Sequence, residues 1–386
     1  MNEKNFLLKK VCQKDIQKEL ELINFDNSYI FQASNKYKFL NIKIFSLSLP
    51  QANILKQTAL SAGADCAVSR GVLTSQVDKT DCILGGSFSQ IKKIIDAIRY
   101  QQFSMSELAK GLDTFLNNCF ENREPKIVGI LNLTKNSFSD GGKYYDFDNA
   151  VAHLNEMIDE GADMIDIGAE STKPYSAPVS PNEKLEKIEP ILKYINNRNI
   201  NVPISIDTRS AIVAERSIDL GAAVINDVSG LEFDKNMSNV IAQNDVRVII
   251  QHSQGTPENM QQNPKYVDVV NDVFNDLYCN IKKAQNSGIK KENIIIDVGI
   301  GFGKTREQNF ELIKRIDEFC SLECEIMLGL SRKSLLNMPD ASNDEKDIYS
   351  LALNTLALER NVDYLRVHNV KLHRRLVDLM KVYKEA

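Results

Sequence analysis

Polar side chains of two chemical kinds recur in this 386-residue chain directly after short apolar runs. One set, Asp207, Asn226, Asp297 and Lys333, combines two carboxylates, a carboxamide and an ammonium. It suits a flat heterocycle with amino, ring N–H and carbonyl groups. The carboxylates accept from the N–H edge, the carboxamide does both, and the ammonium donates. The other set, Asn132, Thr172, Lys173, Arg366 and His368, offers a guanidinium fork with imidazole and hydroxyl donors. That chemistry suits an oxyanion or a metal-bound phosphate. A single Asp at such a position could be an ordinary turn residue. Eight polar strand ends in succession make a site.

The elements that must carry these residues are eight β-branched runs. They are Ile127–Leu131, Met164–Ile167, Pro203–Ile206, Ala223–Ile225, Arg247–Ile250, Ile294–Asp297, Glu325–Leu328 and Tyr364–Val367. Segments of helical length separate them, and two close on Gly161-Ala162 and Gly221-Ala222, as a glycine C-cap before a strand would. Eight alternations over about 260 residues predict a (β/α)8 TIM barrel, whose active site lies at the C-terminal ends of its strands. An open doubly wound sheet usually has fewer strands, and the glycine fingerprint after the first strand is missing. The polar Asn122–Lys126 stretch marks a boundary. Residues 1–122 read as a small α/β domain: a charged helix, a strand over FLNIKIFSLSL, a helix from about Gln51, short strands near Cys66 and Ile83, and two helices around Ile91–Arg99 and Met105–Phe115. Gly85-Gly86-Ser87 could cradle an anion but reads better as a turn and an N-cap. Residues 123–386 form the barrel.

Composition excludes several classes of function. Acidic residues number 52 against 47 basic, a net charge of −5, which is no footprint for nucleic acid or an anionic membrane. No run is long and apolar enough for a membrane span, and the charged N-terminus is no signal peptide. Seven cysteines at scattered spacings, with no C-x-x-C, read as reduced thiols of a cytoplasmic protein. GIGFGKT imitates a phosphate loop, but that motif needs glycine where Val298 stands. His153 and His373 lie in polar helical segments and are expected on the surface. Glu170 is expected to brace its loop. His252 is either a bonded residue near the barrel mouth or a ligand contact, and Arg332 either solvated or a support for Lys333.

From about Ile127 onward the motifs ILNLTKNSFSDGG, GAESTKP, ISIDT, INDVSG, QHSQGTPENMQ, IIIDVGIGFGK, GLSRKS and LRVHNV follow one another. In kind and order they resemble those of the dihydropteroate synthase family. The resemblance implies a folate-pathway transferase joining p-aminobenzoate to 7,8-dihydropterin-6-ylmethyl diphosphate, with diphosphate released. It implies a pterin held by Asp207, Asn226, Asp297, Lys333 and Arg366, and a diphosphate held by Asn132, Thr172, Arg366 and His368. Mg2+ would bridge through Asn132, and aminobenzoate would sit near Phe138, Pro174 and Ser331. Lys333, Arg366 and His368 would carry catalysis, sulfonamides would compete with aminobenzoate, and a homodimer is expected.

The chain departs from the family pattern at Lys135-Asn136, at Lys173-Pro174-Tyr175, at Val298 after Asp297, and at Gln251 and Asn369. Lys173 keeps a charge but loses the planar fork that would pair with Asp140. These changes touch loop geometry and motivate a second reading, a pterin-binding paralogue without turnover. Methyl transfer from a reduced folate to a corrinoid would explain the heterocycle set but not S-R-K and R-V-H together.

Overall fold

The computed structural model describes residues 7–118, 123–133, 147–170, 179–255, 264–338 and 341–385. The chain divides into two compact units, Met1–Phe120 and Glu121–Ala386.

In the first unit, alternate side chains of β1 (Phe39–Ser48), β2 (Asp65–Val68) and β3 (Lys79–Ser87) turn inward, as strand geometry requires. The three strands pair antiparallel in the order β1-β3-β2. Ile42, Leu47, Cys66, Cys82 and Leu84 meet the apolar faces of helices Leu49–Ser61, Phe88–Ile98 and Met105–Asn118 in one core. Gly85 and Gly86 are strand residues paired with Asn41 and Leu40. Ser87 opens the next helix through a capping box with Gln90, so the triplet is an N-cap. The charged first helix is short, Ile16–Leu22, and is followed by a second one, Ile30–Ser34, that the sequence pattern did not announce.

The second unit is a closed parallel barrel. Its strands are β4 (Lys126–Asn132), β5 (Met164–Gly168), β6 (Ile204–Asp207), β7 (Val224–Asp227), β8 (Arg247–Gln251), β9 (Ile294–Asp297), β10 (Glu325–Leu328) and β11 (Tyr364–Val367), and β11 pairs back onto β4. A helix follows each strand, beginning with Phe147–Asp159 and ending with Val370–Glu385. The TIM barrel expected from the alternation is therefore the fold, and three of the eight strands have the predicted bounds. Gly161 and Gly221 adopt φ of +91° and +92°, the left-handed cap conformation that only glycine takes without strain.

Two apolar shells hold the barrel. The outer one lies between strands and helices, with Ile127, Ile165, Ile206, Ile250 and Leu365 facing out. The inner one is a layer of Val128, Met164, Val224, Ile249, Ile295, Met327 and Tyr364. At the base, Arg247 donates to the Tyr364 hydroxyl at 2.9 Å and pairs with Glu325, closing the N-terminal end with polar groups.

Two expectations are corrected. His373 is fully buried, its Nδ1 donating to the Asn369 carbonyl at 2.8 Å. A helical polar neighbourhood hides which residues share its inward face. Cys320 is disulfide-bonded, whereas Cys12, Cys66, Cys82, Cys279 and Cys324 are free thiols. Spacing along a chain says little about which thiols meet in space. Among the described residues no helix is long and apolar enough to cross a membrane.

Candidate active site

Side chains alternate across a strand, so the residue two positions beyond each inner-layer residue also points into the barrel. Two steps on from Met164, Val224, Ile249, Ile295, Met327 and Tyr364 stand Asp166, Asn226, Gln251, Asp297, Gly329 and Arg366. On five strands the inward face thus changes from apolar to polar within one step of the pleat, while β4 carries Ile130 at that level. Above that change lies a pocket lined by Asp207, Asn226, Val228, Gln251, Asp297, Phe302, Gly329, Lys333 and Arg366. All four residues assigned to a flat heterocycle converge there, together with Arg366.

Charges bind this set into one network. Arg366 Nε donates to Asp166 Oδ2 at 2.6 Å and its NH2 to Asp207 Oδ2 at 3.3 Å. Asn226 Nδ2 donates to the same Asp166 oxygen at 2.9 Å, which leaves Asn226 Oδ1 buried and without a partner. Burial works against the charge on Arg366, but Asp166 and Asp207 outweigh it and raise its pKa further. Burial, then the Asp166 carboxylate, push Asp207 up to about 7, with Arg366 opposing. Asp166 is fully buried and went unrecognised from sequence. Its signal was a lone acid inside the apolar run Met164–Ile167.

Lys333 follows β10 and donates to the Ile300 carbonyl at 2.7 Å, its Nζ 4.7 Å from the Phe302 ring centre. Burial pulls its pKa down to about 8 against the attraction of Asp297. Burial likewise raises Asp297, whose Oδ1 accepts from Gly299 N at 2.7 Å. Arg332 makes a two-pronged pair with Asp347, at 2.9 and 2.8 Å, from a backbone φ of +56°. Arg332 itself stays exposed, and the partner that orders it is Asp347.

The glycine-rich loop after β9 is an internal scaffold. Buried Lys304 donates to the carbonyls of Gly299 and Phe302 at 2.9 and 3.0 Å and to His252 Nδ1 at 2.9 Å. His252 Nε2 then donates to Asp276 at 3.2 Å. Burial and the Lys304 charge drop His252 to about 4, and burial lowers Lys304 to about 7. His252 is therefore a neutral brace. At Gly299, with φ of +69°, a Cβ would fall 1.8 Å from the His252 carbonyl oxygen.

At the rim, Ser331 Oγ and His368 Nδ1 share a hydrogen bond at 3.0 Å. Burial, followed by Arg332 and Arg366, pushes His368 to about 3, so its imidazole is neutral at physiological pH. Asn132 ends β4 beside Gly168, its Oδ1 3.5 Å from where a glycine-replacing Cβ would stand, with the Asp207 Cβ 3.6 Å from the same point. Among the described residues no group of three or more His, Cys, Asp or Glu could hold a metal. Glu170 pairs with Lys184 at 2.5 Å and braces its segment as expected. Thr172, Lys173, Pro174, Phe138 and Asp140 lie outside the described residues.

Residues 128–368, which contain this pocket, match the model of the pterin binding enzyme family. The dihydropteroate synthase of Clostridium beijerinckii is 42% identical over 248 residues, which is 63% of this chain and 88% of that protein. The chain belongs to the dihydropteroate synthase family. A probable bifunctional folylpolyglutamate synthase/dihydropteroate synthase of Haloferax volcanii is 34% identical over 343 residues. That match takes in 83% of this chain, which spans only 40% of the archaeal protein. A solved dihydropteroate synthase of Xanthomonas albilineans with 4-aminobenzoic acid superposes with a TM-score of 0.64 at 32% identity, covering 69% of this chain and 94% of that one. The heterocycle residues stand on β6, β7 and β9 and in the segment after β10, and still share one pocket. Gln251, a departure from the family pattern, is among its walls.

Proposed function

We propose that the barrel is a dihydropteroate synthase. It joins p-aminobenzoate to 7,8-dihydropterin-6-ylmethyl diphosphate, forming 7,8-dihydropteroate and diphosphate for folate synthesis. The observation that carries the reading is the convergence of Asp207, Asn226, Asp297, Lys333 and Arg366 on one pocket. Asp207 and Asp297 accept from the amino and ring N–H groups of the pterin. Asn226 Oδ1 has no internal partner and accepts as well, while Lys333 donates to a carbonyl or ring nitrogen. Arg366 lies against the pterin and reaches toward the diphosphate with Asn132, Thr172 and His368.

The bond between the exocyclic methylene carbon and the diphosphate oxygen breaks with its electron pair leaving on the diphosphate. The amine nitrogen of aminobenzoate then bonds to that carbon and loses a proton. The carbon is cationic in between, delocalised into the reduced pterin, and the carboxylates of Asp207 and Asp297 favour that charge. Neutral His368 donates a hydrogen bond to the departing anion rather than a full charge. An aromatic amine is unprotonated at pH 7, so no strong base is required.

Mg2+ fits this donor set in one manner. Asn132 gives a hard carboxamide oxygen and, among the described residues, no acidic cage surrounds it, so the ion would be held chiefly by the diphosphate and water. Bound there, it would neutralise charge on the leaving group. Aminobenzoate occupies the rim near Ser331, Phe138 and Pro174, where sulfonamides would compete. A homodimer in the cytoplasm completes the proposal.

The test is product formation. Incubation with the pterin diphosphate, labelled aminobenzoate and Mg2+ is expected to yield labelled dihydropteroate. Tight pterin binding with no product would support the binding-only paralogue instead.

A further inference from the structure

Gln251 ends β8 and points into the barrel one pleat step above Ile249. It is only 4% exposed, and its Nε2 is shut off from solvent without a hydrogen-bond partner. The carboxylate nearest in register belongs to Asp297 on β9, but its Oδ1 is engaged by Gly299 N. An amide donor buried in this way is costly to fold. A methionine or leucine of similar size would fill the same space at no such cost. The side chain nevertheless forms part of the wall of the heterocycle pocket.

We infer that Gln251 is a substrate-binding residue whose side-chain amide donates to an acceptor atom of the bound pterin, a ring nitrogen or carbonyl oxygen. The inference rests on the synthase reading and deepens it. Asp207, Asp297 and Asn226 Oδ1 are acceptors and read the N–H groups of the ring. Lys333 and Arg366 supply donors as point charges or forks that also serve Ile300, Asp166 and Asp207. Gln251 adds an uncommitted neutral donor at the pocket wall. A site built to hydrogen-bond a polar ring atom discriminates strongly against analogues that lack it, because the buried donor is then left unpaired. Gln251 thereby sharpens selection for a heterocycle with an acceptor at that position.

The test is Gln251→Met in the full-length protein, with Gln251→Leu as a second apolar variant. Two quantities are measured: the dissociation constant for 6-hydroxymethyl-7,8-dihydropterin by calorimetry, and the thermal midpoint without ligand. The expected result is about tenfold weaker pterin binding, roughly one ligand hydrogen bond, with a midpoint equal to or above that of the parent. KM for the pterin diphosphate should rise while KM for aminobenzoate stays within about twofold. A purely structural residue would instead lower the midpoint. Pterin affinity within twofold of the parent in a folded variant overturns the role of Gln251. A parent protein that binds no pterin and makes no product overturns the synthase reading itself, and that outcome is separable from the first.

Discussion

Asp207 and Lys333 face one pocket with pKa values pulled toward each other, to about 7 and about 8. In the proposed function, pterin recognition needs the first as an acceptor and the second as a donor. Affinity for the pterin should therefore climb as Asp207 ionises and fall as Lys333 loses its proton, a bell centred between the two. Titration of binding from pH ~5.5 to ~9.5 checks it; Asp207→Asn should flatten the acid limb and leave the alkaline one. Asp166 belongs to the same scale. It holds Arg366 at 2.6 Å inside the barrel, so Asp166→Ala leaves a buried guanidinium short of its closer carboxylate. Losing one partner of such a pair costs about 3–5 kcal/mol, which denaturant unfolding should register. At this scale the sequence was legible where a polar residue followed an apolar run, as at Asn226 and Asp297. It was opaque where the polar residue lay within the run, as at Asp166. Parity along the strand was the missing information, and it depends on knowing which residue of each run faces inward.

At the level of elements, the loop after β9 shows how a strand end becomes a site. Gly299 presses against the His252 carbonyl, Lys304 ties the loop to itself and to His252, and Lys333 returns to the Ile300 carbonyl. Gly299→Ala should displace this loop, combining a positive φ with a direct clash. Destabilisation of about 2 kcal/mol or more is expected, together with weakened pterin binding, because Asp297 accepts from the Gly299 amide. Calorimetric unfolding and pterin titration of that variant check both. The strand runs were readable since β-branched residues bounded by glycine and polar turns leave little choice, and β9, β10 and β11 fall on the expected bounds. The short Ile30–Ser34 helix was not readable, being too brief for a 3.6-residue period to emerge.

Over the whole molecule, two separate cores divide the work. One packs Ile42, Leu55, Leu84 and Ile91 in the first unit; the other surrounds the barrel strands. Every described pocket residue, from Asp207 to Arg366, comes from the second unit. Removal of residues 1–122 should therefore leave turnover of the barrel within a few-fold of the full chain. Steady-state kinetics and the oligomeric state of the truncated protein check this, and a collapse of either would give the first unit a part in catalysis or assembly. The most direct measurement of the central claim is diphosphate release on mixing the pterin diphosphate, aminobenzoate and Mg2+ with the parent protein and with Lys333→Ala. The parent is expected to release one diphosphate per dihydropteroate. The variant should be slower by about a hundredfold through loss of a charge-assisted contact of about 3 kcal/mol. Undiminished release from Lys333→Ala, or none from a parent that still binds the pterin, would contradict the account.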